Sequence, residues 1–117
     1  MRSTHILVAD DNLDLLFVVS EALRSAGYRV SEAGSRERAE GILREGGVDL
    51  VIADSVLRGD NGDLLARNAG LPVILMSGDP DQIVQSADSL SPFLAKPFNR
   101  ADLLLFVSQV LEKAARK

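Results

Sequence analysis

The chain of 117 residues contains no cysteine, no tryptophan and a single histidine. Without cysteine it has no disulfide, no thiolate metal site and no cysteine nucleophile. His5 has no second histidine with which to share a metal ion, so a histidine-based metal site is also excluded. The apolar runs are too short to span a bilayer, and the amino terminus lacks the pattern of a signal peptide. These absences predict a soluble, cytoplasmic protein that does not bind a membrane.

A basic surface is also missing, because 13 lysine and arginine residues face 17 aspartate and glutamate residues, for a formal net charge of −4. Nonspecific binding of nucleic acid needs a basic face and is therefore not expected. With 46% hydrophobic residues, the chain can bury one core. No linker, repeat or low-complexity segment interrupts it, which predicts one domain over residues 1–117.

Short apolar runs alternate with segments of helical periodicity along the whole chain. The predicted strands are 6–9, 28–33, 50–54, 72–76 and 93–95. The predicted helices are 13–26, 35–45, 63–68, 80–87 and 100–115. Residues 58–62 have the composition of a loop. The alternation predicts an α/β fold with a doubly wound parallel sheet and helices on both faces.

Four of the five predicted strands end in a residue that can do chemistry. Asp10 and Asp11 follow the first strand, Asp54 ends the third, Ser77 follows the fourth and Lys96 follows the fifth. The carboxyl ends of parallel strands meet at one edge of a sheet, so these side chains should lie close together. Carboxylates a few ångströms apart repel by about 4 kcal/mol per pair at an effective dielectric near 20, so a cation must offset them.

Oxygen ligands without histidine or cysteine favour Mg²⁺, which binds one or two carboxylates and completes its shell with water and phosphate oxygens. Lys96 adds a second positive charge at the same edge. A carboxylate can also act as a nucleophile and form an acyl phosphate. The strand ends therefore predict a pocket that holds Mg²⁺ and captures a phosphoryl group.

The same residues resemble the receiver domain of response regulators in two-component signalling, and the resemblance covers the whole chain. It is carried by Asp10-Asp11, Asp54, Gly62, Ser77-Gly78 and Lys96-Pro97-Phe98, in this order. The resemblance implies a flavodoxin-like five-stranded sheet with strand order 2-1-3-4-5. It also implies a signalling phosphoacceptor that catalyses only its own phosphorylation and dephosphorylation, and not an enzyme in the ordinary sense.

By this resemblance Asp54 is the phosphoacceptor, and its donor is a histidine kinase or a histidine phosphotransfer protein. Asp11 and Asp54 bind Mg²⁺ directly together with the backbone carbonyl of Val56, and Asp10 acts through water. Phosphorylation then changes contacts with a downstream protein.

Three further residues receive roles from the resemblance. Lys96 holds the phosphoryl oxygens, and Ser77 turns inward to donate a hydrogen bond to one of them. Phe93 stands at the position of the switch aromatic, with simple core packing as an equal alternative. The peptide bond between Lys96 and Pro97 is expected to be cis.

The sequence departs from the receiver pattern in the middle of the chain. Arg58 replaces the usual proline after the acceptor, and the side chain of Val56 cannot orient an attacking water. The segments from Asp54 to Ser77 and from Ser77 to Lys96 are a few residues short. We therefore expect a stunted third helix and a short fourth helix.

The first helix has apolar residues on more than one side. Those predicted to face inward are Leu15, Val18, Val19, Ala22, Leu23 and Ala26. Leu13, Leu16 and Phe17 would then form an apolar surface beside the acceptor, with Pro97 at its margin, and such a surface can mark a docking site. The resemblance to receivers implies that a donor's histidine-bearing helix docks there. The alternative is that Phe17 folds over a neighbouring loop.

Two other functions stay open at this point. A haloacid-dehalogenase-like phosphatase also uses a strand-end aspartate with Mg²⁺, but it needs a second aspartate where Val56 stands, and its acidic pair comes late in the chain. A degenerate receiver that serves only as a binding scaffold is opposed by the intact Asp54, Ser77 and Lys96.

Overall fold

The computed structural model of the protein describes residues 4–54, 56–57, 60–61, 70–77, 93–95 and 98–115. The strands are β1 His5–Ala9, β2 Arg29–Ala33, β3 Leu50–Asp54, β4 Val56–Leu57, β5 Asp60–Asn61, β6 Val73–Ser77 and β7 Phe93–Ala95. The helices are α1 Leu13–Ser25, α2 Arg36–Glu45 and α3 Arg100–Ala115. The helices predicted at 63–68 and 80–87 lie outside the described residues.

Five parallel strands form the main sheet, in the order β2-β1-β3-β6-β7. Counted along the chain, this is the expected order 2-1-3-4-5, and the predicted fold class is confirmed. β1 lies between β2 and β3, where Ile6 pairs with both Val30 and Leu50. Strands in such a central position are buried on both faces, which is why β1 and β3 read as continuous apolar runs.

Helices cover both faces of the sheet, because successive side chains of a strand point to opposite sides. Ile6 and Val8 pack in the cluster that contains the inner side of α1 and α3, and Leu7 packs in the cluster on the α2 side. The buried residues of the first cluster are Ile6, Val8, Leu16, Val19, Leu23, Leu50, Ile52, Ile74, Met76, Leu94, Leu103 and Val107. The doubly wound arrangement therefore follows from the central strands β1 and β3, whose fully buried residues are apolar on both faces of the sheet.

The limits of α1 agree with the sequence. Asn12 caps the helix by accepting a hydrogen bond from the Leu15 backbone N–H at 3.2 Å. Gly27, with a φ of 98°, follows the last turn in the left-handed region that glycine tolerates. Arg24 joins this last turn to β2 by donating to Glu32 at 2.9 Å, and that hydrogen bond raises the pKa of Arg24.

The rotation of α1 about its axis differs from the prediction at Leu16 and Val18, and Ala26, also predicted to face inward, is the exposed residue that caps the helix. Leu16 is only 5% exposed, so its assignment to an exposed docking surface is wrong, and Val18, predicted to face inward, is 61% exposed. Leu13 and Phe17 are exposed as expected. The helix has apolar residues around much of its circumference, and its fit to the sheet selects which of them are buried.

Part of the predicted loop at 58–62 is a small antiparallel ladder. Val56 pairs with Asn61, and Leu57 pairs with Asp60. Aspartate and asparagine have low strand propensity, so composition alone favoured a loop here. None of the described helices is both long enough and apolar enough to cross a membrane.

Candidate functional site

The candidate site lies at the carboxyl edge of the sheet, where β1 and β3 end side by side. Ala9 is the register partner of Ala53, so the next residues, Asp10 and Asp54, leave the sheet as neighbours. Both strands are apolar up to this point and acidic immediately after it. One carboxylate oxygen from each of Asp10, Asp11 and Asp54 lies within 4.8 Å of the corresponding oxygens of the other two. The structure thus brings together the three carboxylates that the sequence singled out.

The three carboxylates differ in burial. Asp10 is fully buried, Asp54 is partly buried and Asp11 is exposed to solvent. The Asp10 Oδ1 accepts a hydrogen bond from the Asn12 backbone N–H at 2.8 Å, and the Asp10 N–H donates to the carbonyl of Ala33 at 3.0 Å. Asp10 therefore fixes the loop between β1 and α1, while Asp11 is accessible from solvent.

This arrangement was only partly visible in the sequence. An asparagine directly before a predicted helix indicates a helix cap, so the role of Asn12 can be read from the sequence, but its bond to Asp10 was not predicted. An aspartate that accepts from the N–H two residues later is a common turn pattern, which is the signal that would have found it. The bond from Asp10 to Ala33 depends on the pairing of β1 with β2 and has no local signal in the sequence.

Two carboxylates at this separation repel each other by at most about 3 kcal/mol at an effective dielectric of 20, and solvent screening reduces the repulsion that involves the exposed Asp11 well below that value. A cation bound between the carboxylates would replace this repulsion with a net electrostatic attraction. The donor set consists of carboxylate oxygens alone, which suits a hard divalent cation such as Mg²⁺ and does not suit a soft transition metal. The acidic group is therefore chemically suited to hold a metal ion.

The remaining predicted site residues are only partly within the described residues. Asp54 pairs with Met76, so the backbone of Ser77 ends β6 at the same edge, one residue beyond that pair. Ala95 pairs with Ser77, and Phe93 pairs with Leu75 in β7. Lys96 and Pro97 lie outside the described residues, as do the side chains of Ser77, Phe93 and Val56.

An apolar surface stands beside the acidic loop. Leu13 is 69% exposed and Phe17 is 60% exposed, and the two residues are one helical turn apart on α1. Leu13 begins the helix only two residues after Asp11.

A family model of the response regulator receiver domain matches residues 6–108 of the chain. The chain belongs to the response regulator receiver family. The receiver is 35% identical over 119 residues to the DNA-binding transcriptional regulator NtrC of a Bradyrhizobium species, a match that covers 95% of this chain and 25% of NtrC. It is 30% identical over 120 residues to the aerobic respiration control protein ArcA of Escherichia coli, covering 97% of this chain and 50% of ArcA.

Solved structures agree with this assignment. A response regulator receiver protein from Sinorhizobium medicae superposes with a TM-score of 0.83 at 30% identity, covering 95% of this chain and 96% of the other. A CheY-like receiver domain from Methanospirillum hungatei reaches a TM-score of 0.85 with 98% of each chain covered, and at 23% identity it supports the fold alone.

The family settles the general role of the chain. Receivers of response regulators are the phosphoacceptor domains of two-component signalling, and they belong to a signalling family that meets kinases or phosphotransfer proteins. The receiver spans a quarter to a half of the length of NtrC and ArcA. The role that the family shows is therefore the role of this domain.

Proposed function

We propose that the receiver accepts a phosphoryl group on Asp54, with Mg²⁺ bound at the acidic group, from a histidine kinase or a histidine phosphotransfer protein. The observation that carries the proposal is the convergence of Asp10, Asp11 and Asp54 within 4.8 Å at the carboxyl edge of the sheet. Asp54 is favoured as acceptor because it ends the middle strand and is only partly buried, whereas Asp10 is fully buried and hydrogen-bonded to Asn12.

The chain's own residues divide the work of the site. Asp11 and Asp54 would hold the metal directly with the backbone carbonyl of Val56, and Asp10 would act through a water molecule. When bound, Mg²⁺ supplies positive charge against the carboxylates and against the oxygens of the incoming phosphoryl group. Asp10 also keeps the loop in place through its bond to Asn12.

In the transfer step an oxygen of the Asp54 carboxylate forms a bond to phosphorus as the phosphorus–nitrogen bond of the donor's phosphohistidine breaks. The electron pair of that bond stays on the imidazole nitrogen, which then binds a proton. Such transfers depend mostly on positioning and charge stabilisation, and Lys96 would hold the phosphoryl oxygens for this purpose. Ser77 and Phe93 are the proposed switch residues that respond to the new group.

The proposed docking surface consists of Leu13 and Phe17 on α1, with Pro97 at its margin. Its occupant is the histidine-bearing helix of the donor, because Leu13 lies two residues from Asp11 and a donor histidine must come within bonding distance of Asp54. The exposed Asp14 beside these residues favours a partner that carries basic residues around an apolar centre. The proposal places the receiver in the cytoplasm, where a histidine kinase is charged from ATP.

Phosphorylation by a small donor tests the proposal directly. Wild type incubated with Mg²⁺ and acetyl phosphate should gain one phosphate by intact mass, and Asp54→Asn should gain none. Asp102→Asn is the matched control, because Asp102 is an exposed carboxylate on α3. A folded wild type that binds Mg²⁺ but is never modified would support the scaffold function, and turnover of a phosphate ester would support the phosphatase function.

A further inference from the structure

Gly34 follows β2 at the carboxyl edge of the sheet and lies against the first residue of α1. A Cβ atom on Gly34 would stand 3.3 Å from Cδ2 of Leu13, which is closer than two carbon atoms normally approach. Gly34 does not have a positive φ, unlike Gly27, Gly46 and Gly47. A side chain at position 34 would therefore be constrained by its contact with Leu13 and not by the backbone conformation of residue 34.

The end of β2 contacts the residues on both sides of Asp11, in and next to the loop of residues 10–12 between β1 and α1. The carbonyl of Ala33 accepts from the Asp10 N–H at 3.0 Å, and the next residue, Gly34, lies against Leu13. In the chain, the exposed Asp11 therefore lies between two residues, Asp10 and Leu13, that both contact the end of β2. Leu13 itself is 69% exposed, so burial in the core does not fix its orientation.

We propose that Gly34 orients Leu13 and so pre-organises the docking surface for the phosphodonor. This inference rests on the proposed function, in which the donor's helix contacts Leu13 and Phe17. A Cβ at position 34 requires Cδ2 of Leu13 to shift by a few tenths of an ångström, which disfavours the rotamer that rests on the end of β2, and the partner must then order that side chain on binding. Gly34 is a positioning residue in this scheme, since it acts through Leu13 and touches neither metal nor phosphate.

The test separates protein donors from small donors. Gly34→Ala and the larger Gly34→Val are compared with Gly41→Ala, a glycine in α2 where an added Cβ meets nothing within 4 Å. The protein donor is the autophosphorylated kinase core that, within a purified set, transfers phosphate to wild type fastest. We expect kcat/KM for this donor to fall about threefold in Gly34→Ala, as for the loss of one pre-ordered side chain, and further in Gly34→Val. Rates with acetyl phosphate should stay within about twofold in all three variants.

A double-mutant cycle identifies the route of the effect. In the Leu13→Ala background the substitution Gly34→Ala should change kcat/KM by less than about 1.5-fold, because the side chain through which Gly34 acts is gone. In the metal-free protein, NMR should show a nuclear Overhauser effect between the Gly34 α-protons and a Leu13 methyl group, and Gly34→Val should change the Leu13 rotamer populations.

Three results would overturn the inference: equal transfer to the Gly34 variants and wild type, an undiminished Gly34 effect in the Leu13→Ala background, or absence of the Gly34–Leu13 signal. A wild type that acetyl phosphate cannot phosphorylate would instead contradict the proposed function, and the NMR measurement would still decide the contact.

Discussion

The two edges of the central sheet treat polar residues in opposite ways. At the amino edge, the His5 N–H donates to Asp49 Oδ2 at 2.9 Å and the Asp49 N–H donates to the carbonyl of His5 at 2.8 Å. His5 Nε2 also lies 2.7 Å from the Ser31 Oγ of β2. At the carboxyl edge, the same strands end in carboxylates that crowd within 4.8 Å of one another.

The difference separates a structural use of polarity from a functional one. Donors meet acceptors at the amino edge, and the bonds join β1 to β2 and to the residue before β3, which stabilises the fold. Acceptors of like charge are gathered at the carboxyl edge, which opposes folding unless a cation arrives. A local rule that is broken at the place where ligands bind is the expected signature of a functional site.

The largest expected effect comes from removing a carboxylate at the carboxyl edge of the sheet. Asp11→Asn should weaken Mg²⁺ binding at least tenfold, since the loss of even an outer-shell partner costs about 10–100-fold. In the metal-free protein, the same change should raise the free energy of unfolding, because it removes one repelling charge; the gain should stay below about 1 kcal/mol at this exposed position. Calorimetric titration and urea unfolding measure the two quantities, with Asp102→Asn as control. Unchanged Mg²⁺ affinity would exclude Asp11 as a ligand.

The next largest effect comes from removing a hydrogen-bond acceptor at the amino edge of the sheet. Asp49→Ala removes the acceptor of the His5 N–H and should lower the free energy of unfolding by about 1–3 kcal/mol. Its Mg²⁺ affinity should match wild type, because the acidic group of Asp10, Asp11 and Asp54 lies at the other end of the strands. Urea unfolding and metal titration of the same sample check both statements. A loss of Mg²⁺ affinity in the folded variant would show that the two edges are coupled.

The sequence revealed one edge far better than the other. A general rule places ligands at the carboxyl ends of parallel strands, so Asp10, Asp11 and Asp54 were predicted to converge although they are far apart in the chain. No such rule exists for the amino edge. The partners of His5 are 26 and 44 residues away, and their meeting depends on the exact register of β2 and β3.

Some features of the fold were also predictable from local sequence signals, whereas others depended on packing between elements. Strand and helix positions were predictable because alternation, caps such as Asn12 and Asn99, and breakers such as Gly27 act locally, whereas the strand order was expected only from the resemblance to receivers. The rotation of α1 was not, since Leu16 and Val18 are equally apolar and only packing against the sheet decides between them. The short ladder of Asp60–Asn61 was missed because backbone pairing overrode the low strand propensity of its residues.

A smaller effect sharpens the comparison at the amino edge. Ser31→Ala removes the hydroxyl next to His5 Nε2 and should lower the free energy of unfolding by about 1 kcal/mol, the usual net value of one hydrogen bond. His5 should retain its backbone bonds to Asp49, so the strand pairing persists. Thermal unfolding by circular dichroism measures the loss. A variant as stable as wild type would mean that water replaces the hydroxyl at no cost.

The smallest expected effect is a gain in the free energy of unfolding, from a second serine-to-alanine substitution, this time in the core. Ser20 lies on the inner side of α1 and is fully buried, and its Oγ is the buried side-chain atom of the described residues for which no hydrogen-bond partner is found. A buried hydroxyl without a partner opposes folding, and alanine is the better helix former. Ser20→Ala should therefore raise the free energy of unfolding by about 0.5–1 kcal/mol, measured beside Ser31→Ala. If Ser20→Ala and Ser31→Ala both lowered the free energy of unfolding, the Ser20 hydroxyl would have a partner such as a buried water. Paired polar groups would then extend from the amino edge into the core.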